Sequence, residues 1–295
     1  METLAAIGRE IAALSGTACG PSPAERVSGG SINTCYRWPA VPKAMFVKVG
    51  PLASQGAFAA EAAGLAALGA ARALRVPQVL ACAHTDAAAF LALEWIEAGP
   101  ASVACERRLG EGLAALHAAT APRFGWERDN TIGSTPQLNG WTDGWAEFLR
   151  ERRLRPQLEL AAHNGFAALL SVPGNRLLES LPVLLSDHVA AASLLHGDLW
   201  GGNWLASSSG EPVIFDPAVY YGDREADLAM TRLFGGFGAA FYRAYEALAP
   251  LPPGAALRSE LYNLYHVLNH ANMFGGGYAR QARGIIDRLL AEVGG

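Results

Sequence analysis

The residues best suited to chemistry fall in one stretch, His196-Gly197-Asp198-Leu199-Trp200-Gly201-Gly202-Asn203, followed by Ile214-Phe215-Asp216. An H-x-D-L-x-x-x-N loop with an aspartate ending the next apolar strand fits phosphoryl transfer. That reaction needs a carboxylate beside the acceptor hydroxyl and hard oxygen ligands for a magnesium ion on the phosphates. Asp198 can be the first, as the catalytic proton acceptor, and Asn203 with Asp216 can be the metal ligands. Magnesium draws few ligands from protein and the rest from phosphate and water, so one amide and one carboxylate suffice. The glycines let the loop turn back far enough to present Asn203 beside Asp198. An ordinary turn with Asp216 as a cap is the plain alternative, and three spaced matches weigh against it.

The N-terminal third offers a nucleotide side. Ser28-Gly29-Gly30-Ser31 precedes the first strand pair, and a loop carrying Gly29, Gly30 and Ser31 lets backbone N–H groups approach phosphates. Alone it is no more telling than a hairpin turn. Lys48 closes an apolar strand in Phe46-Val47-Lys48-Val49, as a phosphate-contacting lysine would. Glu61, on the helix that follows, is its natural ion-pair partner; an exposed glutamate on an Ala-rich helix is the alternative. Glu94-Trp95-Ile96 ends the last strand, where the backbone of Glu94 and Ile96 can hydrogen-bond an adenine edge. ATP and magnesium are therefore the expected cofactors. Of the 23 basic residues only Lys43 and Lys48 are lysines. Either a compact ammonium is wanted there, or codon bias left two survivors.

These residues need elements to hold them. Thr34–Trp38 and Met45–Val49 suit strands around a turn at Pro39–Lys43, and Val79–Ala83 and Phe90–Ile96 suit two more. Between the pairs, Ser54–Ala70 has Phe58, Ala62, Leu65 and Leu68 at helical spacing. Past Gly99 the patterns turn helical, over Ser102–Thr120, Trp141–Ala162, Asn175–Leu185 and Leu257–Tyr278. Short strands return at Ser193–Leu195, Trp204–Ala206 and Val213–Asp216, with Ser207–Gly210 as a hairpin tip. The expected fold class is α+β: two lobes, an N-lobe of small antiparallel sheet plus helix over residues 1–98, and a larger, mainly helical C-lobe over 99–295 carrying the catalytic loop, metal ligands and substrate site.

Composition narrows the field. With 295 residues and 51% hydrophobic content the chain can bury a substantial core, so disorder is excluded. A net charge of −4 lacks the basic footprint of a nucleic-acid binder. No apolar run reaches the roughly 18 residues a bilayer span needs, and Met1–Leu14, broken by Arg9 and Glu10, reads as an amphipathic helix instead of a signal peptide. Cys19, Cys35, Cys82 and Cys105 are scattered without metal-ligand or disulfide spacing. A cytoplasmic protein is expected, with no membrane or nucleic-acid partner.

The chain from about Gly29 to Tyr278 resembles the fructosamine kinase (ketosamine-3-kinase) family, which has a protein-kinase-like, aminoglycoside-phosphotransferase-like fold. The resemblance rests on Gly29-Gly30-Ser31-Ile32-Asn33, Phe124-Gly125-Trp126, Asn130-Thr131-Ile132-Gly133 and the loop from Leu195 to Asn203. Phe215-Asp216-Pro217-Ala218, Tyr220 to Glu225, Asp227 to Met230, Leu268-Asn269-His270 and Phe274 to Tyr278 add to it. It implies ATP-dependent phosphorylation of the C3 hydroxyl of ketosamines, after which the 3-phosphate eliminates and frees the amine. Glycated amines or glycated proteins would be the substrates. Asp216-Pro217-Ala218 stands where protein kinases have D-F-G, so no activation-loop switch is expected. A kinase for aminoglycoside- or choline-like amines and a nucleotide-binding pseudokinase are the competing readings. Outside the core motif, Asp223-Arg224-Glu225 reads as a loop brace ahead of a sugar ligand, and His117 as a packed histidine. His196 reads as a shaper of its own loop. Trp200 can stack on a sugar or plug the loop, and Cys35 is a small strand filler with redox blocking of ATP as the alternative.

Overall fold

The computed structural model describes residues 2–19, 24–27 and 33–294. The chain groups into two compact units: Met1–Cys105 with Trp204–Pro217, and Glu106–Asn203 with Ala218–Gly295.

The first unit is built on a five-stranded antiparallel sheet. In spatial order its strands are Glu25–Val27, Thr34–Trp38, Met45–Gly50, Ala89–Glu94 and Val79–His84. Side chains alternate between faces along a strand, and the two faces bury different partners. Met45 and Val47 pack with Trp38, Phe90 and Ala92 against Ile7 and Ile11 of the helix Glu2–Ser15. On the opposite face, Leu91, Leu93 and Phe46 pack against Phe58 and Leu65 of the helix Gln55–Ala70. Lys48 has the parity of Phe46, which sends it to the face that this second helix covers. The strand runs two residues past Lys48, to Gly50. Glu25–Val27 escapes the sequence pattern because it has three residues, two of them exposed.

The hairpin Trp204–Ala206 with Pro212–Ile214 belongs to the same unit, paired in the register Trp204 to Ile214. The Gly99 and Ser208 N–H groups donate to Ala206 and Glu97 carbonyls, and the Ile214 N–H to the Arg75 carbonyl. Its second strand stops at Ile214, so Asp216 lies two residues beyond the strand it was expected to end.

The second unit is mainly helical. Its core joins Leu170, Leu177, Leu178 and Leu181 of the helix Ala167–Leu184 to Leu261, Leu264 and Leu268 of Ala255–Phe274. Ile285, Ile286 and Leu289 of Gly277–Val293 complete it. The single helix expected over Leu257–Tyr278 is two helices. Gly275 and Gly276, both at positive φ, end the first and let the chain reverse into the second. A two-stranded ladder, Ser193–Leu195 with Tyr220–Gly222, delivers the chain into His196. The α+β class, with an N-terminal antiparallel sheet and a mainly helical remainder, agrees with the expectation.

Candidate active site

In the first unit, three of the expected residues meet. The Lys48 ammonium donates to both carboxylate oxygens of Glu61, at 2.8 and 3.0 Å, and also to Asp216 Oδ1. Lys48 is only 7% exposed. Burial works against its charge, but the Glu61 and Asp216 carboxylates outweigh it and raise its pKa above the ordinary lysine value. Burial pushes the Glu61 carboxyl up to about 7, with Lys48 pulling the other way and the Asp216 charge adding to the rise. One ammonium thus serves two carboxylates, a negatively charged cluster with hard oxygen donors of the kind magnesium prefers. Asp216 itself adopts a left-handed backbone, φ 56°, which aspartate tolerates better than most residues.

The other nucleotide-side expectations fare differently. Gly29, Gly30 and Ser31 lie outside the described residues. The Glu94 carboxylate accepts from Arg75 at 2.7 Å, and the Glu94 backbone N–H donates to the Gln78 carbonyl. Ile96 is half-buried just past the strand end. Cys35 is buried on its strand, and desolvation pushes its thiol up to about 11. That environment suits the filler reading, since thiolate reactivity needs the opposite shift.

In the second unit, Asp198 and Asn203 are brought together. The Asn203 side-chain nitrogen donates to the Asp198 carbonyl at 2.8 Å and to its carboxylate at 3.1 Å. With the amide nitrogen so committed, the Asn203 carbonyl oxygen is the atom with ligand chemistry. Gly197 is indispensable to the turn: its φ is +81°, and a Cβ there would run into the Ala218 carbonyl. The Asp198 N–H donates to His196 Nδ1 at 3.3 Å, so His196 shapes the loop as expected.

A residue to which the sequence assigned no role holds this loop. Asp227, fully buried at the start of the helix Glu225–Leu233, accepts from the backbone N–H groups of His196 and Gly197 at 2.7 and 2.8 Å. His117 Nε2 joins the same carboxylate at 3.2 Å, and His117 Nδ1 meets the Tyr245 hydroxyl at 2.8 Å. Burial would raise the Asp227 pKa, but the His117 hydrogen bond, the nearby His117 and His196 charges and the Gly197 N–H together hold it below the ordinary value. Its D-L-A-M segment was visible as a motif; the role was not.

Asp223-Arg224-Glu225 braces the chain, as expected, though it is not a solvated charge run. The Arg258 guanidinium makes two 2.8 Å bonds to Glu225. Tyr262 donates to Asp223 Oδ2, which also meets His188 Nε2, both at 2.6 Å. His188, Asp223 and Glu225 lie close enough together to suggest a metal site, but these bonds commit them to protein partners. Trp200 is 40% exposed and meets Phe234 edge-on at 6.4 Å; Phe234 in turn contacts His270 at 4.8 Å. An aromatic wall therefore begins two residues after Asp198.

The family model for fructosamine kinase matches residues 3–292. A probable ketoamine kinase of Synechocystis is 47% identical over 268 residues, covering 90% of this chain and 89% of that one. A chloroplastic protein-ribulosamine 3-kinase of Arabidopsis thaliana is 40% identical over 267 residues, with 90% and 81% covered. The crystal structure of a candidate fructosamine-3-kinase from Haemophilus somnus superimposes with a TM-score of 0.89 at 27% identity, covering 96% of both chains.

Proposed function

Since the chain belongs to the fructosamine kinase family, we propose that it transfers the γ-phosphoryl group of ATP to the 3-hydroxyl of ketosamines and so starts their deglycation. Ribulosamine and fructosamine adducts, on small amines or on protein lysines, are its substrate class. The observation that carries this reading is the Asp198–Asn203 loop, with a half-buried carboxylate fixed by an amide and the loop backbone pinned by Asp227.

Asp198 takes the proton of the acceptor hydroxyl as that oxygen attacks phosphorus, a role that requires a positioned carboxylate and no nucleophile. Lys48, oriented by Glu61, neutralises phosphate oxygens. The Asn203 carbonyl oxygen and the Asp216 carboxylate fit magnesium as hard donors, and the ion when bound would offset phosphate charge. Gly29, Gly30 and Ser31 are assigned to the phosphates, and the Glu94 and Ile96 backbone to the adenine edge. The nucleotide role goes to residues 1–98 and the acceptor role to 99–295. Trp200 and Phe234 offer apolar ring surface against which the C–H face of a sugar can pack. No helix among the described residues is long and apolar enough to cross a membrane, and a reaction that draws on ATP suits a cytoplasmic enzyme.

The test is magnesium- and ATP-dependent phosphorylation across ribulosamine, fructosamine, aminoglycoside and choline. Transfer to a ketosamine is expected. Transfer only to the other amines would discard deglycation, and bound ATP without any transfer would favour the pseudokinase.

A further inference from the structure

The two lysines differ in what their amines can do. Lys48 is buried, and its ammonium is held by Glu61 and Asp216. Arginine stays protonated and is a poor nucleophile at neutral pH. Side-chain amine chemistry therefore falls to Lys43, which is exposed and makes no hydrogen bond or ion pair with a described residue.

Lys43 lines a cleft of about 390 Å³ together with Arg37, the Glu94–Glu97 segment and Ser207–Ser209, so the cleft borders the strand end that the proposed function gives to the adenine edge. The Trp95 indole N–H donates to Glu97 at 2.8 Å, and the Arg37 guanidinium lies over the Trp95 ring at 5.3 Å. Carboxylate, guanidinium and hydroxyl groups beside an indole are the chemistry that holds a polyol, and the volume lies within the range of small-molecule sites.

We propose that Lys43 is this chain's own glycation site: a reducing sugar seated in the cleft condenses with its amine, and the resulting ketosamine is a substrate for a second copy of the enzyme. The second half rests on the proposed function. In the first step the Lys43 nitrogen bonds to the aldehyde carbon C1, and the carbonyl oxygen leaves as water, giving an aldimine. Removal of the C2 proton and delivery of a proton to C1 then give the ketoamine, an isomerisation without any oxidant in which the Glu97 carboxylate can carry the proton. In the repair step a second copy phosphorylates O3 with ATP. Loss of a C1 proton and of inorganic phosphate from C3 leaves an imine, which water hydrolyses to the free lysine and a 3-deoxyosone. An enzyme that meets sugars and their adducts would thus keep its positive charge in arginine and confine damage to its side-chain amines to one repairable position.

The test incubates the full chain with ribose in the absence of ATP and maps adducts by peptide mass spectrometry. Adduct is expected at Lys43 and not at Lys48, lost in Lys43→Arg and formed more slowly in Glu97→Gln. Adduct confined to the Met1 α-amine, or equal at both lysines, would overturn the site. For repair, glycated Asp198→Ala chain is mixed with unmodified wild type, magnesium and ATP, with free ribulosamine as an internal control. Loss of the Lys43 adduct is expected with wild type present and not without it. Persistence of the adduct while free ribulosamine is phosphorylated would overturn repair by a second copy. An unphosphorylated control would instead overturn the kinase reading and the repair with it, while the adduct map still decides the Lys43 site.

Discussion

Lys48 donates to both carboxylate oxygens of Glu61, at 2.8 and 3.0 Å, so a strand and the helix covering it are joined by one buried ion pair. The same ammonium reaches Asp216. Without Glu61, Lys48 would keep one carboxylate partner and lose its fixed direction. Glu61→Ala should raise the KM for ATP and lower kcat/KM on the order of 10²-fold, the scale of a misplaced positioning group. Steady-state kinetics with ATP varied measures this, and an unchanged KM for ATP would remove Glu61 from the nucleotide site.

Under the proposed function Asp198 acts in transfer and not in nucleotide affinity. Asp198→Ala should lower kcat by about 10²- to 10⁴-fold, the range for a general base, while ATP binding by calorimetry stays near the wild-type value. Undiminished turnover would assign the base elsewhere.

The loop itself depends on two supports. Gly197→Ala places a Cβ against the Ala218 carbonyl at a backbone angle that alanine resists. Asp227→Ala orphans the His196 and Gly197 N–H groups in a buried site, costing about 1–3 kcal/mol for each group left unsatisfied. Both variants should melt earlier than wild type and lose kcat more than ATP affinity. A Gly197→Ala chain with wild-type kcat would show that the loop tolerates a different turn.

His266 gives a pH dependence with a definite sign. Burial, with the neighbouring His270 charge adding to it, depresses its pKa from 6.5 to about 3. The unfolded chain therefore binds a proton at this residue below about pH 6.5 that the folded chain refuses until about pH 3, so stability falls as pH drops through that window. In His266→Phe this contribution disappears, and denaturant midpoints between pH 6.5 and 4 should fall less steeply than in wild type. Parallel profiles would mean that His266 protonates equally in both states.

Much of this was legible in the sequence because it is local. Thr34–Trp38 and the helix over Gln55–Ala70 declare themselves by periodicity, and Asp198 and Asn203 meet because only four residues of glycine-rich loop lie between them. The Lys48–Glu61 pair was also readable, since strand parity and helical spacing both point at one face. What escaped depends on distant partners. Asp227 lies some thirty residues from the N–H groups it holds, and Phe234 and His270 approach Trp200 only through the tertiary fold. Asp223 and Glu225 read as a brace, but nothing in their segment reveals that Arg258, His188 and Tyr262 are the partners. The break at Gly275-Gly276 was missed where apolar spacing runs on across two glycines.

The most direct measurement is the position of the transferred phosphate. A ribulosamine incubated with magnesium, ATP and the wild-type chain should give a product whose phosphorus couples to the C3 proton in NMR, followed by release of inorganic phosphate and free amine. The Asp198→Ala chain should give neither. Phosphate on another hydroxyl, or a stable product that keeps its amine, would contradict a deglycating 3-kinase.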